Sequence, residues 1–126
     1  MSTITASNLN DGTTTVATTF ITNGSAKAWV NFDGFAASIQ DSNNIASLTD
    51  QGTGQYQLAF VNSMGNVNFA LTSSTGNADS SNAGTGRNSQ MGSGAVGTFH
   101  YENSNPANQA NEDAVRGYAV IHGDLA

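Results

Sequence analysis

From Ala26 to Phe32 apolar and polar residues alternate one for one. Ala26, Ala28, Val30 and Phe32 fall on one side of an extended strand, and Lys27, Trp29 and Asn31 on the other. That period of two commits the stretch to β structure. Asp33-Gly34 follows as a turn, because both residues tolerate positive φ. Two shorter runs, Ala37 to Ser42 and Ile45 to Thr49, end at Asp50-Gln51-Gly52-Thr53-Gly54. Gln55 to Phe60 is the cleanest strand, with Tyr56, Leu58 and Phe60 on one face. Four extended runs separated by turn residues predict an antiparallel meander.

Further along, Asn62 to Gly65 reads as a turn. Asn66 to Thr72 reads as a fifth strand with Val67, Phe69 and Leu71 inward. Residues 73–94 hold one large apolar side chain, Met91, and read as a long polar loop, the best candidate for a partner contact. Its candidate contact residues are Asn77, Asp79, Asn82, Arg87, Asn88 and Gln90. Gly94 to Tyr101 returns to strand character. Residues 102–114 form a second polar loop, in which Asn105 as N-cap and Pro106 at the first helical position predict a helix of at most two turns. Gly117 to His122 closes the chain as a strand, with Tyr118, Val120 and His122 on one face and Ala119 and Ile121 on the other. The sum is one all-β domain, an antiparallel β-sandwich or a trimeric β-knob, over residues 26–126.

Residues 1–25 are rich in Thr and nearly uncharged, with Ile4, Leu9, Val16, Phe20 and Ile21 as apolar anchors. Val16 to Thr22 is β-branched and reads as extended. The segment is expected to be an extended N-terminal arm for attachment or oligomerisation.

Composition narrows the function. Asn, Ser, Thr and Gly make up nearly half of the 126 residues, apolar residues 37% and charged residues 10%. So polar a chain buries little apolar area per residue, which predicts that an oligomer completes the core. With Lys27, Arg87 and Arg116 as its cations and a net charge of −6, it lacks the footprint of a nucleic-acid or anionic-membrane binder. Without cysteine it has no disulfide, thiol nucleophile or thiolate metal site. No leader and no apolar run of membrane length are seen, so synthesis in a cytosol is expected.

No motif argues for catalysis or a cofactor. Gly92 to Gly97 spells G-x-G-x-x-G, but a dinucleotide site needs a strand before it and a helix after it. His100 and His122 supply too few ligands for a metal within one chain, although three-fold symmetry would multiply either. Asp41, Asp50, Glu102, Glu112 and Asp113 are scattered, and neighbours in sequence point apart; turn carboxylates leave calcium as an alternative. Trp29 on the polar face reads as a sugar platform or, preferentially, with Lys27 as a subunit interface.

The segment AKAWVNFDG with IQDSNNIASLTDQGTGQYQLAF resembles a segment of short tail-fibre-like structural proteins of tailed, often marine, bacteriophages. Ala26 to Gly34, Asp41-Ser42, Ser47, Thr49-Asp50, Gly52-Thr53-Gly54, Tyr56 and Phe60 carry the likeness, and the ending Val115 to Asp124 is similar to the family's terminal strand. The resemblance implies a non-enzymatic virion protein, made in the host cytoplasm and most simply a homotrimer. It implies other virion proteins, of the tail or the major capsid shell, as partners, and a host-surface glycan or protein as a contact. A tail-fibre adhesin is the first expectation. A capsid decoration (cement) protein is the alternative, and a virion-associated glycan hydrolase a remote one.

Overall fold

The computed structural model describes residues 2–76 and 88–126. In chain order the elements are β1 (Asn8–Asn10), β2 (Thr15–Ala17), α1 (Thr18–Gly24), β3 (Ala28–Asp33), β4 (Ser38–Asn43), β5 (Ile45–Gly52), β6 (Gln55–Phe60), β7 (Ala70–Gly76), β8 (Asn88–Ala95), β9 (Thr98–Ser104) and β10 (Arg116–His122). Two antiparallel four-stranded sheets, β4-β3-β10-β7 and β5-β6-β9-β8, face each other, and β1 and β2 form a separate hairpin. The protein is an all-β antiparallel sandwich.

The alternating runs become its inner faces. Ala28, Val30 and Phe32 of β3, Tyr56, Leu58 and Phe60 of β6, Phe99 and Tyr101 of β9, and Ala119 and Ile121 of β10 are all buried. The Phe32 ring meets those of Tyr56 and Tyr101 edge-on, each at a centroid distance of 5.1 Å. Phe60 joins Phe99 at 5.4 Å and Phe69 at 5.8 Å. Bulky rings are accommodated because small residues stand opposite. Gly117 of β10 pairs with Phe32, and a Cβ there would overlap its ring.

Several expectations are corrected. The four runs between residues 26 and 60 do not make one meander. They make two hairpins, β3-β4 in one sheet and β5-β6 in the other. Asn44 alone separates β4 from β5. Its φ of 59° turns the chain through the corner, a conformation Asn adopts more cheaply than most residues. Its side chain donates to the carbonyls of Lys27 (3.0 Å) and Asn62 (3.1 Å) and accepts from Asn62 N–H (2.7 Å). The strand expected at Asn66 starts only at Ala70, because the Asn66 side chain accepts the Asn68 N–H (2.8 Å) in a turn. Val67 is exposed, while Phe69 is buried as expected.

Of the loop expected over 73–94, residues 73–76 belong to β7 and residues 88–94 to β8, and the rest lies outside the described residues. The strand expected from Gly94 to Tyr101 is broken by the Val96-Gly97 turn joining β8 to β9. G-x-G-x-x-G is therefore a hairpin and no helix follows it.

The helix expected after Asn105 is a single turn. Gln109 N–H donates to the Asn105 carbonyl (2.7 Å), and Gln109 itself, at φ 57°, ends it. Of the run Val16 to Thr22, expected to be extended, Val16 and Ala17 lie in β2, but Thr18 to Thr22 belong to α1. Thr22 Oγ1 bonds back to the carbonyls of Thr18 (3.1 Å) and Thr19 (3.3 Å), supporting a turn that β-branched residues disfavour.

Strand directions give the sandwich two poles. One, the arm pole, gathers Lys27, the Asn44 corner, residues 61–69, the β8-β9 turn and the end of β10. The other, the loop pole, gathers residues 34–37, the β5-β6 turn, Gly76, Asn88 and residues 105–115.

Candidate contact surfaces

At the loop pole the inner-face alternation of β9 runs Phe99, Tyr101, Asn103. Asn103 is fully buried, and no other polar residue among those described is buried with it. Its Nδ2 donates to the Glu112 carbonyl (2.6 Å), and its Oδ1 accepts from Thr75 Oγ1 (2.9 Å). The Tyr101 hydroxyl bonds Thr75 Oγ1 and donates to the Ser74 carbonyl, both at 2.9 Å. The Tyr56 hydroxyl accepts Ala114 N–H (3.1 Å) and donates to Asp113 Oδ1 (3.2 Å), which also takes Gly54 N–H at 2.7 Å. Asn105 Nδ2 donates to Glu112 Oε1 (2.8 Å), and Arg116 pairs with Asp33 at 3.2 Å. Residues 105–115 are thus fastened to both sheets by side chains rooted in the core. Gly34 donates to the Ala114 carbonyl at 2.8 Å, and a Cβ on Gly34 would overlap that oxygen and the Tyr56 hydroxyl.

Burial raises the pKa of both Tyr56 and Tyr101 above the ordinary 10.0. Unfolded tyrosines ionise near that value while the folded ones stay neutral, so their contribution is complete below pH 10.0 and is lost above it. Stability should fall as the pH rises from 10.0 towards the folded pKa of each tyrosine, by at most about 1.4 kcal/mol per pH unit for each. Urea midpoints measured on either side of pH 10.0 check this, and Tyr101→Phe should make the slope shallower.

Of the expected contact residues, Asn88 opens β8 opposite Ser104, and Gln90 Nε2 donates to Glu102 Oε2 at 3.0 Å. Asn77, Asp79, Asn82 and Arg87 lie outside the described residues. The flanking Gly76 and Asn88 sit beside Arg116 and Ser104, at the pole that also holds residues 105–115.

The arm occupies the opposite pole. It is not simply extended: Asp11 Oδ1 accepts the N–H groups of Thr13 (2.9 Å) and Thr14 (2.7 Å), closing the β1-β2 turn. Those bonds, that from Thr14 foremost, hold the Asp11 carboxyl below its usual pKa. Ile4 (94% exposed), Phe20 (76%), Leu9, Val16 and Ile21 all remain on the surface, and α1 buries none of its residues. A cleft of about 630 Å³ separates the arm from the sandwich, lined by Thr22, Lys27, Asn44, Asn62 and Leu125 among others. Lys27, expected at a subunit interface, donates to the carbonyls of Thr22 and Ser25 (3.2 Å to the latter), at the C-terminal end of α1.

The two outer faces differ. On that of β5-β6-β9-β8 the polar side chains satisfy one another: Gln57 Nε2 meets His100 Nε2 at 3.2 Å, and Gln90 meets Glu102. On that of β4-β3-β10-β7, Trp29 stands opposite Val120, and Asn31 opposite Tyr118. Tyr118 and Val120 are exposed, and Asn31 Oδ1 is buried with no hydrogen-bond partner. Trp29 therefore stands beside Val120 and Tyr118 in an apolar patch on this outer face. His100 and His122 lie in different sheets, and no group of three or more His, Cys, Asp or Glu among the described residues is placed to hold a metal.

Sequence reasoning missed Asn103, Thr75 and Tyr101 as a polar cluster. Asn103 was legible only by carrying the i, i+2 count two residues past Tyr101. No family model, no curated protein and no solved structure matches the chain.

Proposed function

We propose that this chain is a non-enzymatic structural protein of a tailed-bacteriophage virion. It acts as a homotrimeric, tail-fibre-type surface protein, held to the particle by residues 1–25 and meeting a host-surface glycan or protein with its loop pole. The observation that carries this reading is the division of the sandwich into two poles. Most of the exposed large apolar residues, Ile4, Phe20 and Val61 among them, lie at one, and the polar segment 105–115, tied to buried side chains, lies at the other, where Phe35 is the exposed apolar exception. Surface-exposed Ile4 and Phe20 call for a covering partner. Pre-bound loop backbone lowers the entropy lost on meeting a ligand. The Trp29, Tyr118 and Val120 patch supplies the face on which subunits meet. The resemblance of residues 26–60 to phage fibre proteins names the particle.

Electron cryo-microscopy of intact particles tests the reading. Density at a tail or fibre, with the arm inward and the loops outward, is the expected result. Density on capsid symmetry axes would make it a decoration protein, and absence from the particle would overturn the proposal. Deleting residues 2–25 should leave the sandwich as stable as before, because the arm contributes no buried residue, and should abolish incorporation into particles. Thermal melts and particle gels measure the two halves of that expectation.

A further inference from the structure

β8 is an edge strand. It pairs with β9, and among the described residues no strand pairs with its other side. Seven of its eight residues are exposed. Met91 is 38% exposed although it stands opposite the fully buried Tyr101, so the inner face is left incomplete at this edge. The strand carries no charge and no proline, the usual protections of an edge. Of the other edges, β4 carries Asp41 and β5 carries Asp50, while β7 is uncharged but less exposed; β8 itself has one break in register, between Met91 and Gly94.

A second element has the complementary deficiency. Ser2–Ala6 includes the β-branched run Thr3-Ile4-Thr5, is exposed throughout and joins no sheet. It too is uncharged, as is everything from Ser2 to Asn10. In a chain of net charge −6, contact between two uncharged segments adds no local like-charge repulsion. The arm and the Ala95 end of β8 also lie at the same pole. Each copy thus has one apolar residue that lacks cover (Met91) and one that covers nothing (Ile4).

We propose that the outer edge of β8 receives residues Ser2–Ala6 of a second copy as an added antiparallel strand. Main-chain bonds supply the affinity, and Ile4 covers Met91. The exchange is head-to-tail, so it closes into a ring when each arm passes to the next copy. It rests on the oligomeric reading above and gives that oligomer its means of assembly.

The natural absence of cysteine makes the test clean. The full-length chain carrying I4C and M91C is treated with a short bis-maleimide, which tolerates a slip of one residue. Covalent dimers and higher species from the double variant, and not from either single variant, are the expected result. Equal cross-linking of I4C alone means that arms pair with arms, and a cross-linked monomer means that the arm folds on its own sandwich; both overturn the proposal. So does an absence of cross-links when sedimentation of the same sample shows an oligomer, which leaves the oligomeric reading standing. A monomer by sedimentation of the unaltered chain ends both. Deleting residues 2–6, which lie outside the sandwich, should weaken association at least tenfold; unchanged association overturns the strand exchange.

Discussion

Gly117→Ala should destabilise the sandwich by about 3 kcal/mol, the upper range for overpacking a well-filled core. Gly117 faces inward on β10 directly across from Phe32, and an added methyl group would occupy the space of the ring. The ring has little room to retreat, because Tyr56 and Tyr101 abut it on two sides at 5.1 Å. The Gly117 main chain is tied into ladders with both β3 and β7, so the backbone does not yield readily either. If this account is right, the obstacle is the ring. Phe32→Leu should then cost less in the Gly117→Ala background than alone, and urea midpoints of the four proteins measure that coupling. Additive effects would mean that the backbone, rather than Phe32, resists the methyl group.

The second large effect is expected at Asn103. Asn103→Leu keeps the volume and removes both hydrogen bonds, leaving the Glu112 carbonyl without this donor in a buried setting. Thr75 loses one acceptor but keeps Tyr101. The expected cost is about 2–4 kcal/mol, from two hydrogen bonds lost at a fully buried position. The damage should be local first. Amide exchange at Glu112 and Ala114 should accelerate strongly, while Leu58 and Val30 in the centre of the sheets slow the solvent as before. A uniform rise in exchange would instead identify Asn103 as part of the global core. Host binding, if the loop pole makes it, should weaken in step with the local opening.

Much of the sandwich was legible in the alternation. The inner-face pattern of β3, β6 and β10 follows from single-residue counting, because burial on one side of a strand leaves a direct mark on residue type. The allocation of hairpins to sheets left no such mark. It turns on Asn44, one residue whose left-handed backbone sends β5 across the core instead of beside β4. Asn is frequent enough in this chain that its presence signals nothing by itself. The helix at residues 18–24 was hidden for a related reason. Threonine disfavours helix by propensity, and the back-bonds of Thr22 and the contact from Lys27 that stabilise it exist only once the turn is formed. At the loop pole, Pro106 after Asn105 is a sound helix start. The Asn105 side chain, however, is drawn to Glu112 and its N–H to the Ala110 carbonyl, so the segment closes on itself after one turn.

The central place of β3, between β4 and β10, has a mechanical consequence. The arm enters β3 at Ala28, at one pole, and residues 105–115 enter β10 at Arg116, at the other. A pull between the arm and that loop therefore draws two antiparallel neighbours apart along their length. Their ladder, from Ala28 opposite Ile121 to Phe32 opposite Gly117, lies across the line of force. Its hydrogen bonds share the load and must fail together, whereas a hairpin pulled from its open end gives way one bond at a time. The strand order makes the direction from arm to loops the one along which this domain resists tension.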